Sequence, residues 1–185
     1  MKAESAATRG QPDQESLYAD ALAQFGSSLA RLATGYELDQ SRQQDLLQDI
    51  HVALWRSLAT YRGQCSLRTW VYRIAHNKAS TYVRQRMRAR RLKSVSLEEI
   101  DDEHHHPDFE RALDHEAILE KLRDLIQRLK PVDQDVFLLY LEGLDARSIA
   151  EIIGISPGNV AQKIHRAKKY LQRHFPTGAN HDQVR

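Results

Sequence analysis

Asn159, Gln162, Lys163, His165 and Arg166 crowd into one short segment, and from Pro157 to His174 that segment carries no carboxylate. Amide and guanidinium groups can make paired hydrogen bonds with the edge of a base, while cationic groups suit phosphates. The chemistry these residue types offer is therefore recognition of duplex DNA. The elements that must position them lie on either side, in DARSIAEIIGISPGNVAQKIHRAKK (Asp145–Lys169). Asp145 and Ser156 each stand where a helix cap would stand, and Pro157 where a first helical residue would. Ile149, Ala150, Ile152 and Ile153 give a first helix its apolar face, Gly154 supplies a sharp turn, and Ile155 can enter the core. Val160, Ile164, Ala167 and Leu171 stripe the second helix at helical spacing. The spacing predicts a helix-turn-helix. An ordinary helical hairpin with a solvated basic face is the plainer alternative, and the paired caps, tight turn and acid-free second helix argue against it.

A second concentration of chemistry lies upstream. The run RQRMRARRLK carries Arg84, Arg86, Arg88, Arg90, Arg91 and Lys93, and Arg68, Arg73 and Lys78 precede it on the same predicted helix. Tyr72, His76, Asn77, Ser80 and Thr81 are expected on its polar face. Arginines beside aromatic and amide groups can hold a phosphate backbone and stack or bond exposed bases. A basic helix end that merely suits the helix dipole is the alternative. Trp70 falls on the apolar stripe, where core packing is expected.

Other features exclude more than they suggest. The consecutive His104, His105 and His106 lack the helical spacing of a catalytic zinc site. No nucleophile or glycine-rich phosphate loop accompanies them, so no enzyme, metal or cofactor is expected. The single Cys65 cannot form an internal disulfide and reads as a small apolar residue rather than a redox switch. There is no apolar run near the roughly eighteen residues of a membrane span, and the first twenty residues include acids and no apolar core of a signal peptide. A cytoplasmic protein is expected.

The formal net charge of +2 hides a strong polarity along the chain. Residues 1–93 hold fifteen Lys and Arg against eight Asp and Glu. Residues 94–110 hold seven acids and no Lys or Arg (Glu98, Glu99, Asp101, Asp102, Glu103, Asp108, Glu110). The pattern suggests two modules that meet polyanions, joined by a connector that avoids or imitates them. Periodicity predicts helices throughout. Leu17 to Ala33 form one, and a break at Gly35–Ser41 precedes a second through Leu46, Leu47, Ile50, Leu54 and Leu58. After the turn TYRGQCS, a long helix from about Leu67 to Leu92 should bury Leu67, Trp70, Val71, Ile74, Ala75 and Tyr82 or Val83. Leu113, Ala117, Leu119, Leu122, Leu125, Ile126 and Leu129 mark a helix ended by Pro131, and Val136–Leu141 the next, closed by Gly143.

The segment DLLQDIHVALWRSLATYRGQCSLRTWVYRIAHNKASTYVRQR resembles the promoter-melting domain of extracytoplasmic-function (ECF) sigma factors of the bacterial sigma-70 family. The helix-turn-helix module resembles their C-terminal domain. The likeness runs from about Leu17 to Phe175 in the family's domain order, and YRGQCSLRTWVYRIAHN paired with GNVAQKIHRAKK is far more specific than either motif alone. It implies an all-α chain of two small helical domains joined by an acidic flexible linker. Residues 1–14 would be a disordered N-terminus, 15–93 sigma region 2, 94–110 the linker, 111–175 sigma region 4 and 176–185 a flexible tail.

The resemblance also implies a mechanism. The protein would join core RNA polymerase, direct it to a two-part promoter and open the duplex, capturing a flipped base in single-stranded DNA and changing no bond. Tyr61 and Asn77 match residues near the pocket for a flipped −10 base, with Arg68, Arg73, Lys78 and Arg84 on the strand backbone. Gln162, His165 and Arg166, flanked by Asn159 and Lys163, match the face that reads the −35 element. Asp45, Leu46, Gln48 and Asp49 match the surface that grips the polymerase. Two departures stand out. An acidic cluster usual in relatives reads Arg42-Gln43-Gln44-Asp45 here, which weakens a contact to a basic polymerase surface. Phosphorylation of Ser57 or Thr60 by a kinase could restore the charge, and apolar contacts with Asp49 could equally suffice. Ala161 replaces a common basic residue, so the −35 sequence should differ from that of relatives. An anti-sigma factor is a further candidate partner. A stand-alone helix-turn-helix regulator, which binds DNA without polymerase, is the alternative.

Overall fold

A computed structural model describes residues 13–94 and 115–174, and among these it contains seven helices and no strand. The connector 94–110, His104–His106 and the tail 176–185 lie outside the described residues, as do residues 1–12, apart from Ser94 at the end of a helix. The helices are α1 (Gln14–Tyr36), α2 (Gln40–Leu58), α3 (Leu67–Ser94), α4 (His115–Gln127), α5 (Pro131–Leu141), α6 (Ala146–Ile153) and α7 (Pro157–His174).

The first three form a bundle because each carries one apolar stripe. Leu17, Ala21, Leu29, Leu32 and Ala33 of α1 meet Leu46, Ile50, Leu54 and Leu58 of α2 and Val71, Ala75 and Ala79 of α3 in the core. Local chemistry sets the corners. Asp39 caps α2 by accepting the Arg42 N–H at 2.9 Å. Ser66 does the same for α3, taking the Thr69 N–H at 3.0 Å. Between them Gly63 turns the chain at φ +77°, a left-handed conformation that costs a residue with a β-carbon about 1 kcal/mol.

A buried acid ties the α1–α2 corner to α3. The Glu37 side chain is 1% exposed. Its Oε1 accepts the N–H groups of Leu38 and Asp39 at 2.9 and 3.0 Å. Its Oε2 takes the Tyr82 hydroxyl and the Arg86 guanidinium, both at 2.5 Å. Burial by itself would raise this carboxyl, but the Tyr82 hydroxyl, the backbone N–H groups and Arg86 outweigh it and hold it below the ordinary range. Burial and then the bond to Glu37 push the Tyr82 phenol up to about 12. Arg86, part of the basic run, is thus engaged by the fold.

In the C-terminal module Pro131 opens α5 at a first-turn position, where a missing N–H is no loss. The helix predicted from Val136 therefore starts a turn and more earlier. Val136, Phe137, Leu138 and Leu139 are all buried. Four consecutive positions sweep most of a helix circumference, so the middle of α5 is covered on most sides, while Val132 and Leu141 near its ends stay exposed. It packs on α7 of its own module and on α1 and α3 of the other. At that junction a β-carbon on Gly35 would stand 2.4 Å from a Leu138 methyl. Gln134 donates to the Gly35 carbonyl at 3.2 Å, the Tyr36 hydroxyl donates to Asp135 at 2.7 Å, and His76 Nε2 lies 3.2 Å from Asp135.

The helix-turn-helix has the predicted parts. Asp145 accepts the Ser148 N–H at 2.7 Å, Ser156 accepts the Asn159 N–H at 3.3 Å, and Gly154 takes φ +81°. Val160, Ala167 and Leu171 face the core, with Ile155 and Ile164 partly buried against it. No described helix is long and apolar enough to cross a membrane.

Replacing Glu37 with Ala removes the shared acceptor and leaves a half-buried guanidinium unpaired. The variant should lose about 3 kcal/mol in urea denaturation at neutral pH. Because the folded pKa lies below the unfolded one, this stabilisation is complete above the ordinary carboxylate range and is lost as pH falls through the lowered folded value. The gap between wild type and Glu37→Ala should therefore close in acid; a gap independent of pH would assign the loss to packing.

Candidate nucleic-acid interface

Trp70, Arg73, Asn77 and Arg84 recur at spacings of three, four and seven residues along α3, which places them on one stripe of the helix. The preceding turn sets Tyr61 beside its start. The Tyr61 ring lies 5.3 Å from that of Trp70, and its hydroxyl donates to the Cys65 carbonyl at 2.8 Å. Burial, then the neighbouring Cys65, raises the Tyr61 phenol, so it stays a neutral donor. Trp70 Nε1 donates to Ser57 Oγ at 3.1 Å, which locks the indole across the end of α2. Asn77 and Arg84 are exposed, and Arg84 leans on Thr81 Oγ1 at 3.1 Å. Aromatic rings next to an amide and two guanidiniums can stack an unpaired base, bond its edge and hold its phosphates.

The other two cations predicted for this strand point elsewhere. Arg68 Nη2 donates to the Glu142 carbonyl at 2.7 Å, and its guanidinium lies 5.9 Å from the Tyr72 ring centre. With Phe25, Ser28, Tyr72 and Glu142 it lines an open cleft of about 500 Å³ between the modules. Lys78 turns toward α2 and pairs with Asp49 at 3.1 Å. Tyr72 and His76, expected on the polar face, are buried. Phe25 of α1 covers Tyr72 with ring centres 6.1 Å apart, and Asp135 of α5 meets His76. A helix packed by neighbours on three sides has a narrower free face than its own sequence suggests. Trp70, expected to pack in the core, is half-buried against it and also lies on the stripe, as its spacing from Arg73 and Asn77 indicates.

On α7, Asn159, Gln162, His165 and Arg166 are exposed, opposite the buried Val160, Ala167 and Leu171. Lys163 is the exception, with its side chain only 14% exposed and its ammonium 2.8 Å from Asp133 Oδ1. Arg73 is held from the same module, by Glu151 of α6 at 2.6 Å.

On α2, Asp45, Gln48 and Asp49 are exposed. Leu46 is 2% exposed and packs in the core with Ile50 and Leu54, which corrects its expected place on a contact surface. Its position in the four-residue Leu46–Ile50–Leu54–Leu58 stripe explains this. Val52 and Trp55, 42% and 39% exposed, occupy the outer face instead. They went unmarked in the sequence because only neighbours reveal which apolar residues stay uncovered.

A bundle bearing an aromatic–amide–arginine stripe, packed beside a helix-turn-helix with an acid-free outer face, has the layout of a bipartite DNA-binding protein. The sequence model described as Sigma-70 region 2 matches residues 22–89, and that described as Sigma-70, region 4 matches residues 119–171. RNA polymerase sigma factor YlaC of Bacillus subtilis is 30% identical over 141 residues, covering 76% of this chain and 81% of that protein. The ECF RNA polymerase sigma-E factor of Haemophilus influenzae is 25% identical over 158 residues, 82% and 83% of the two chains. Among solved structures, the sigma factor RpoE of Bartonella quintana, crystallised with the anti-sigma factor NepR, superposes with a TM-score of 0.67 at 20% identity, over 88% of this chain and 98% of that one. The chain belongs to the sigma-70 family, as an extracytoplasmic-function RNA polymerase sigma factor. It is a transcription-initiation subunit that joins core RNA polymerase and directs it to promoter DNA for opening. Sigma factors as a class are initiation factors rather than enzymes.

The two environments on α2 make separable predictions. Leu46→Ala should cost about 3 kcal/mol in urea denaturation through the cavity it leaves. Val52→Ala should stay within about 1 kcal/mol of wild type, and Trp55→Ala, which gives up an edge-on contact with the Tyr18 ring at 5.2 Å, should lose about 1–2 kcal/mol, still less than Leu46→Ala. Comparable losses at all three positions would mean that the outer face of α2 is not free.

Proposed function

We propose that the two faces divide promoter recognition between them, within functional units of residues 15–93 and 111–175. The stripe Trp70–Arg73–Asn77–Arg84 takes the single strand of the −10 element, with Tyr61 and Asn77 at the pocket of its flipped base. On α7, Gln162, His165 and Arg166, with Asn159 at the helix start, read the −35 element in the major groove. Asp45, Gln48 and Asp49, joined by Val52 and Trp55, grip the polymerase. Binding energy alone does this work: the chain makes and breaks no bond and needs no cofactor, and it acts in the cytoplasm. The observation that carries the reading is the stripe itself, because stacking, edge and phosphate chemistry are aligned on one helix and close to Tyr61.

Control by a kinase or an anti-sigma factor belongs to the same proposal. Both candidate hydroxyls donate to a carbonyl, Ser57 to Leu54 at 2.8 Å and Thr60 to Ser57 at 2.9 Å, but Ser57 also accepts from Trp70 and is half-buried. Thr60 is exposed at the end of α2, so we assign the modification to Thr60. In a pull-down with core polymerase, Thr60→Glu should retain more polymerase than wild type, and Val52→Ala with Trp55→Ala should retain about tenfold less. In transcription with the holoenzyme, Tyr61→Ala and Asn77→Ala should bind polymerase normally yet fail to open the duplex, and Arg166→Ala should relax the −35 preference. Unchanged promoter preference in both Asn77→Ala and Arg166→Ala would refute these assignments.

Three cations of the first module are engaged by the second: Arg73 by Glu151, Arg68 by the Glu142 carbonyl, and Arg31 by the Glu142 carboxylate at 2.7 Å. These oxygens stand where phosphates would, so strand binding requires the modules to part. Gly35→Leu, which drives α5 off α1, and the milder Glu151→Ala should each raise the free protein's affinity for a −10-type single-stranded oligonucleotide several-fold at low salt. Gly35→Leu should also enlarge the radius of gyration in X-ray scattering. A wild-type protein that is already extended and binds the strand as well as both variants would end this part of the proposal.

A further inference from the structure

Beneath the acid-free face of α7 lies a carboxylate. Asp133, in the first turn of α5, is buried among its neighbours. Its Oδ1 accepts from Lys163 Nζ at 2.8 Å and from Arg166 Nη2 at 3.2 Å. The two cations sit three residues apart on α7 and so project side by side, but they are not equivalent. The Lys163 side chain is 14% exposed and the Arg166 side chain 59%. Lys163 is drawn in as the counter-ion, while Arg166 is tethered through one nitrogen and carries the rest of its guanidinium outward.

We propose that Asp133 is a positioning residue for −35 recognition: it fixes the orientation of the Arg166 guanidinium, and Lys163 serves to neutralise Asp133 rather than to touch DNA. The proposal rests on Arg166 reading a base, as above. Three physical points support it. A long side chain loses rotamer freedom when it meets a base edge, and a tether already made in the free protein removes part of that cost. The guanidinium has enough donors to keep one bond to the carboxylate and still offer a paired edge to guanine. An uncompensated carboxylate facing a phosphate backbone would repel it, and Lys163 cancels that charge from the protein side. All three residues belong to the C-terminal module, so the triad does not depend on the contact between modules.

A bond between α5 and α7 could also be a mere staple of the fold, and specificity separates the two. The test is transcription by holoenzymes on a promoter library randomised through the −35 element, with Asp133→Asn, Lys163→Ala, Arg166→Ala and the double variant Asp133→Asn/Arg166→Ala, alongside thermal unfolding of each protein. Asp133→Asn should weaken discrimination about fivefold at the base pair that Arg166→Ala relaxes, leave other positions unchanged and leave the unfolding midpoint close to wild type. The double variant should be no worse than Arg166→Ala alone, since the two would act through one contact. Lys163→Ala should lower activity evenly across the library. If Arg166→Ala relaxes a position and Asp133→Asn does not, or if Asp133→Asn costs the same with Arg166 already removed, the positioning role is wrong and the −35 reading stands. If Arg166→Ala relaxes nothing, both fall together.

Discussion

The close approach of α1 and α5 at Gly35 is the constraint on which the arrangement of this protein depends. With no side chain there, Leu138 packs directly over the α1 backbone. That contact brings Asp135 to Tyr36 and His76 and sets Glu142 beside Arg31 and Arg68. Burial and the Asp135 carboxylate raise the Tyr36 phenol well above its ordinary value, so it remains a donor to that carboxylate. An apolar contact thus fixes the geometry, and polar groups around it make the geometry specific.

Charge pairing is the second theme, and its strength varies with depth. Glu37 is fully enclosed and holds its partners as part of the fold. Arg31 meets a Glu142 side chain that is only 7% exposed, whereas Arg73 and Lys78 pair near the surface, where water and salt reduce an ion pair to about 0–1 kcal/mol. Pairs of that kind are exchangeable. A phosphate backbone can replace a surface carboxylate at little cost, whereas nothing readily replaces Glu37. The same basic composition therefore supplies both permanent fastenings and cations available for transfer to nucleic acid.

Geometry also sharpens the proposed strand-binding surface. Six residues predicted to act together become three on a stripe of α3, one beside it, and two turned toward other elements. Trp70 joins the stripe and Tyr61 stacks against it, so the surface gains aromatic area where it loses charge. Affinity from such a face should come from stacking as well as from phosphate contacts, which makes it suited to an unpaired base. On α7 the opposite refinement occurs, as Lys163 leaves the free face and Arg166 is held at one end.

Local signals in the sequence were enough for the all-helical class, the helix-turn-helix caps at Asp145 and Ser156, the turn at Gly154, and the stripes of α1, α2 and α7. Each of these depends on residues within one or two helical turns, where periodicity and capping chemistry act. The two-part motif carried the family for the same reason. What local signals missed depends on residues far apart in the chain. The family resemblance implies a contact surface for Leu46, but its own stripe turns it inside. Tyr72 and His76 look polar-facing until α1 and α5 cover them, and only the packing leaves Val52 on the outer face and Trp55 partly covered by Tyr18 of α1. Asp133 carries no local mark of its link to Lys163 and Arg166, because only the packing of α5 on α7 brings them together. The sequence by itself determined which helices form and that their cationic faces suit DNA. Tertiary structure decided which of those cations are free, because a charge is committed or available according to the carboxylate that packing places beside it.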